Sequence, residues 1–116
     1  MRVLFDHNLP HKLRLALIPL CQHSLVTTSF VGWGHLKNGE LLSAADPDFD
    51  VFITGDRTLV HEQNLGLRRL AIIVLSTNNW PIVRFHVSHI LAAIDGALPG
   101  SFQTVDCGSF SRKKTD

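Results

Sequence analysis

The sequence predicts an α/β domain, a parallel sheet with helices on both faces, and three observations lead there. Four short apolar runs, Val3–Phe5, Ser24–Thr28, Asp50–Thr54 and Leu70–Leu75, are rich in strand formers. The segments between them carry apolar residues at helical spacing. Each of the first, third and fourth runs ends at a polar residue or turn: Asp6, Gly55-Asp56 and Ser76. Strands alternating with helices imply parallel pairing through right-handed crossovers.

Length and composition fit that reading. A chain of 116 residues makes one domain. It is long enough to bury about two-thirds of its unfolded surface without staples. The net charge of +1 argues against a strongly basic protein that coats DNA, and leaves room for a local phosphate site. Cys21 and Cys107 match no metal or redox spacing and read as free thiols of a reducing compartment. No apolar run is long enough to span a bilayer, and the N-terminus lacks the layout of a signal peptide, so a cytoplasmic location is expected.

The first strand, Val3–Phe5, is followed by Asn8 as the expected cap of a helix that tolerates Pro10 in its first turn. Leu9, Leu13, Ala16, Leu17 and Leu20 give that helix its sheet-facing side, and Pro19 ends it. Ser24–Thr28 is the second strand. Phe30–Lys37, with Gly32, Trp33 and Gly34, reads as a loop with an aromatic anchor. Asn38 is the expected cap of a short helix over Asn38–Ala45, stopped by Asp46-Pro47. Asp50–Thr54 is the third strand, and Thr58–Leu65 a helix closed by Gly66. Leu70–Leu75 is the most apolar strand. Trp80-Pro81 opens one long helix, with Val83, Val87, Ile90, Leu91, Ile94 and Leu98 on its buried side and Pro99-Gly100 after it. Ser101–Asp106 alternates like an edge strand. The domain thus covers residues 1–108, and 109–116 is expected to be a flexible polar tail.

Three acids stand out by position. Asp6 follows the first strand, Asp56 follows the third, and Glu40 lies in the first turn of the helix between them. In a parallel sheet, strand ends and the helix starts that follow them share one rim, so these carboxylates can converge. Convergent carboxylates repel one another, and a proton or a hard divalent cation relieves the repulsion. Magnesium or manganese suits such oxygens, and the arrangement suits phosphodiester hydrolysis. Each acid also has a plainer role. Asp56 can cap the helix that follows, and Glu40 is favourable at any helix N-terminus. His7 and His11, and His86 and His89, are spaced for shared helix faces and read as solvated or packed pairs ahead of metal pairs. Trp33 and Trp80 can pack in the core or stack on a base. Arg57, beside Asp56, is the candidate phosphate contact. Arg68 and Arg69 precede a strand and belong at the opposite end of the sheet. Arg112, Lys113 and Lys114 add weak, salt-sensitive attraction to nucleic acid.

The stretches L-F-D-H-N-L-P at Leu4–Pro10, K-N-G-E-L-L at Lys37–Leu42 and I-T-G-D at Ile53–Asp56, with the apolar strand and serine of Ile72–Ser76, resemble the PIN-like domain family. More narrowly, they resemble short bacterial PIN-like proteins regarded as toxins of toxin–antitoxin pairs. The likeness covers about the first eighty residues well and the last helix loosely. It implies a three-layer α/β/α fold with strand order 3-2-1-4-5 and the first strand central. It also implies a metal-dependent ribonuclease site in which Asp6, Glu40 and Asp56 are catalytic and hold Mg2+ or Mn2+. Asn8, Asn38 and Ser76 would support them, and Arg57 would meet phosphate. RNA, a cognate antitoxin and a second copy of the chain are the implied partners, with Trp80 and the last helix as dimer candidates. Two departures weaken the metal site: no carboxylate stands over Ser76–Asn79, and His7 replaces an acid.

Two other readings are set against this one. A non-catalytic module would grip RNA or protein with the same fold, a reading that His7 and the missing fourth acid favour. A phosphoacceptor or haloacid-type phosphatase would need a further acid next to, or two after, the first and a lysine near a later strand end. This chain has His7 and Asn8 there, and no lysine between Lys37 and Lys113.

Overall fold

The structure, a computed structural model, describes residues 1–61 and 68–108. Five strands, β1 (Arg2–Phe5), β2 (Ser24–Thr27), β3 (Val51–Thr54), β4 (Ala71–Leu75) and β5 (Phe102–Val105), form one sheet in which every pairing is parallel. Helices α1 (His11–Leu17), α2 (Asn38–Ala45), α3 (Trp80–Val83) and α4 (Val87–Asp95) connect them. The expected tail, 109–116, and the expected helix beyond His61 lie outside the described residues; Arg57–His61 forms a 3-10 turn.

The strand order is β2-β1-β3-β4-β5, so β3 is central, which corrects the expected 3-2-1-4-5 with β1 in the middle. The reason lies in side-chain character. All four residues of β3 and all five of β4 are buried, as an interior strand covered on both faces requires. Only Leu25 is buried in β2 and only Val105 in β5, and both strands sit at edges. The chain runs outward from β1 to β2, returns past β1 to β3, and continues in one direction to β5.

Strand alternation divides the core in two. Val3, Phe5, Val51, Ile53, Ala71, Ile73 and Leu75 pack on one face with Leu13 and Leu17 of α1, Val83 of α3, and Ile90 and Ile94 of α4. Leu4, Phe52, Ile72 and Val74 point to the other, against Leu41, Leu42 and Ala45 of α2, Phe49 and Leu59. Trp33 packs on this second cluster, its ring edge-on to Phe49 with centroids 5.9 Å apart. Trp80 and Leu91, both partly buried, pack on the first.

Helix ends depart from expectation. Pro10, in an extended conformation, takes the N-cap position of α1, and Asn8 makes no cap. Lys37 is the N-cap of α2, one residue before the expected Asn38, whose side chain lies outside the described residues. The expected long C-terminal helix is two helices joined by a 3-10 turn, Arg84–His86, and His86 leaves helical geometry at φ −121°, ψ 16°. It ends at Asp95, with Gly96 as C-cap. Asp46 caps α2, and its Oδ1 accepts the N–H groups of Arg69 and Leu70 at 2.9 and 2.8 Å. Arg68 and Arg69 therefore sit at the amino end of the sheet, as expected. No helix among the described residues is long and apolar enough to cross a membrane.

Candidate functional site

In this strand order the direction of winding reverses between β1 and β3. The crevice outside the carboxyl ends of those two strands is where open parallel sheets hold ligands. Asp6 and Asp56 occupy it. Phe5 is in register with Ile53, and the Asp6 N–H donates to the Ile53 carbonyl at 2.9 Å, which seats Asp6 beside Thr54.

One hydroxyl links the two acids. Thr54 Oγ1 donates to Asp6 Oδ2 at 2.7 Å and accepts the backbone N–H of Asp56 at 2.9 Å. Asp6 is only 7% exposed, so its charge needs partners, and Thr54 supplies one on Oδ2. On the other side, Asp6 Oδ1 lies 3.1 Å from His7 Nδ1. The His7 backbone N–H donates to the buried hydroxyl of Thr28 at 3.1 Å, fixing the residue while its ring stays half exposed. His7 and His11 are not on one helix face; both line a hollow of about 210 Å³ with Asp6 and Arg14.

Asp56 also does the capping work that was its plainer reading. Its Oδ1 accepts from the Thr58 N–H at 3.0 Å and the Thr58 hydroxyl at 2.6 Å, closing the turn that starts the 3-10 segment. Asn8 ties loops together. Its Oδ1 accepts the Gly55 N–H at 3.4 Å, and its carbonyl accepts from Asn78 Nδ2 at 3.1 Å. A Cβ on Gly55 would lie 3.1 Å from the Asn78 Cβ and 3.5 Å from Leu9 Cδ2, so glycine permits this close approach of the loops after β1, β3 and β4.

Glu40 is exposed in the first turn of α2. Among the described residues, no three His, Cys, Asp or Glu side chains group closely enough to hold a metal ion. The two linked acids supply hard oxygen donors of the kind magnesium takes together with water. Ser76, expected to support a ligand, joins strand ends: its Oγ accepts the Cys107 N–H at 2.8 Å and donates to the Gly108 carbonyl at 3.5 Å. Burial, with Asp106 beside it, pushes the Cys107 thiol above its ordinary pKa and keeps it neutral. Cys21 and Cys107 are both free.

Arg57 is exposed at the lip of a cleft of about 750 Å³, lined also by Ser76, Thr77, Asn78, Thr104 and Asp106. Two residues that sequence reasoning passed over emerge here. Thr54 is the polar end of an otherwise apolar strand, and that position was its signal. Asp106 directly follows β5 as Asp6 follows β1, and the pairing of Leu75 with Val105 brings it level with Ser76. Comparison with protein-family models, with curated proteins and with solved structures found no match.

Proposed function

We propose that this chain is a metal-dependent endoribonuclease of the PIN-like type, acting as the toxin of a toxin–antitoxin pair. The observation that carries the reading is the Thr54 hydroxyl, which donates to the Asp6 carboxyl group and accepts the backbone N–H of Asp56, seating two acidic residues at the topological switch point. Asp6 and Asp56 would hold Mg2+ or Mn2+ and Glu40 would be the third acid of the site. A bound divalent cation supplies Lewis-acid activation of water and offsets charge on the leaving oxygen. The chain's own residues orient and bind. Thr54 donates to Asp6 and fixes its carboxyl group, Gly55 lets the loops close, and Arg57 meets a substrate phosphate. The partners are RNA, a cognate antitoxin and a second copy of the chain, and the compartment is the cytoplasm.

The test is cleavage of a pool of structured and unstructured RNAs with magnesium, with manganese and with chelator, for the wild type and Asp56→Asn. The expected result is cleavage only with metal, reduced about 100-fold or more by the substitution, the scale of losing a group that positions the reacting centre. Absence of metal-dependent cleavage in every condition overturns the reading.

A second reading, a PIN-like module that binds RNA or protein without cutting, draws on the His7 ring against Asp6 and on the absence of a three-residue metal-holding group among the described residues. It expects Asp6→Asn to leave the biological effect intact, whereas the nuclease reading expects that effect to be lost.

A further inference from the structure

The cleft lined by Arg57 and Asp106 contains two charges that are unmatched among the described residues. Arg57 has no acceptor among the described residues, and no ion pair joins it to Asp106, which lines the same cleft. Asp106 Oδ1 accepts the Gly108 N–H at 2.7 Å, which orients the carboxylate, while Oδ2 has no partner among the described residues. The rest of the lining carries no charge and mixes Ser76, Thr77, Asn78 and Thr104 with Val105 and glycine. Asn78 commits its amide N–H to the Asn8 carbonyl and keeps its oxygen, and Thr104 is exposed. A cleft of about 750 Å³ is within the range that holds a small ligand.

We infer that this cleft is a guanosine-nucleotide subsite, in which Asp106 reads the base and Arg57 meets the phosphate. The inference rests on the ribonuclease reading and names the nucleotide its substrate presents. A ligand that fits must carry an anion at one end and hydrogen-bond donors at the other. Guanine alone of the four RNA bases presents two adjacent N–H donors, N1–H and the N2 amino group, on its Watson–Crick edge, matching the two oxygens of one carboxylate. Adenine and cytosine place a ring-nitrogen acceptor beside their amino group. Uracil flanks its single N–H with two carbonyls. All three therefore set an acceptor against Asp106, which can only accept. Unpaired RNA offers that edge, as single-stranded recognition requires. The ribose hydroxyls would face Thr104 and the Asn78 oxygen.

The experiment is calorimetric titration of the full chain, in chelator, with the 5′-monophosphates of guanosine, adenosine, cytidine, uridine and inosine. Guanosine monophosphate is expected to bind about tenfold or more tightly than the adenosine, cytidine and uridine forms, the discrimination a good bidentate contact gives. Inosine monophosphate, which lacks the N2 amino group, falls between them. Asp106→Asn still accepts from Gly108 and so keeps the loop, but it removes the guanosine preference and turns it toward xanthosine monophosphate. Arg57→Ala weakens all the nucleotides alike. Equal binding of the four, no binding, or a guanosine preference that survives Asp106→Asn overturns the inference. Because no metal is present, the outcome is separate from the cleavage assay. RNA cleavage without guanosine preference removes the subsite and spares the nuclease. Guanosine binding by a chain that never cuts removes the nuclease and spares the subsite as a binding site.

Discussion

Thr54 carries two hydrogen bonds on one hydroxyl, one to the side chain that follows β1 and one to the backbone that follows β3. Removing the oxygen while keeping the shape leaves the Asp6 carboxylate and the Asp56 N–H each short of a partner in a buried setting. Thr54→Val should therefore destabilise the fold by about 1–3 kcal/mol, the usual cost of an orphaned buried polar group. It should also lower metal-dependent cleavage by more than its effect on the folded fraction explains. Thr54→Ser keeps the hydroxyl and loses only a methyl, worth about 0.8 kcal/mol. Urea unfolding of the two variants, with cleavage measured where both are folded, checks the prediction. Equal behaviour of Val and Ser would show that the hydroxyl does not organise the acids. Asp6 and Asp56 could be singled out in the sequence because each is an acid directly past an apolar run or its glycine. The link between them could not, because it passes through a threonine whose own strand pairing had to be known first. Glu40 shows the limit of rim arguments. A helix start on the correct side of a sheet fixes an approximate height, and leaves open whether a side chain on an exposed turn reaches a neighbour.

At the level of elements, the strands were readable from apolar runs because a strand covered on both faces admits little else. Their order was not, because β1, β3 and β4 are all apolar enough to be interior and composition does not rank them. β2 and β5, with only one buried residue each, are the edges, and that leaves the order of the three interior strands unset. The long C-terminal helix was over-read for a related reason. Apolar residues at helical spacing persist through Arg84–His86, whereas the backbone there tightens to a 3-10 turn. The connection from α4 to β5 makes a separable prediction. Gly100 has φ +75°, and a Cβ there would come within 2.9 Å of the Arg68 carbonyl oxygen, at the amino end of the sheet, away from Asp6 and Asp56. Gly100→Ala should cost at least about 1–2 kcal/mol from the left-handed conformation alone. Nucleotide affinity of the folded fraction should be unchanged. Denaturant midpoints set beside calorimetric affinities test this, and a parallel loss of both would mean that the two rims are coupled.

Over the whole molecule, the two ends of the sheet use charge differently. At the amino end the acids are spent on backbone groups: Asp46 accepts from Arg69 and Leu70, and Asp50 Oδ2 accepts the Arg2 N–H at 2.8 Å. At the carboxyl end Arg57 and one oxygen of Asp106 have no partner among the described residues. With a net charge of +1, the chain has no broad positive field with which to hold nucleic acid. On the proposed function, affinity for RNA would come from a few local contacts, and its salt dependence should be shallow. Each phosphate neutralised on a single strand contributes about −0.7 to the slope of log K against log salt. Arg57→Ala should reduce the steepness by about that one increment and weaken RNAs of every sequence alike, because a phosphate contact carries no base information. Asp106→Asn should leave the slope unchanged and alter only which sequences bind. Fluorescence anisotropy of guanine-rich and guanine-free RNAs across a salt series separates the two effects. A slope unaffected by Arg57→Ala would place the phosphate contact on another cation and leave Arg57 a surface residue.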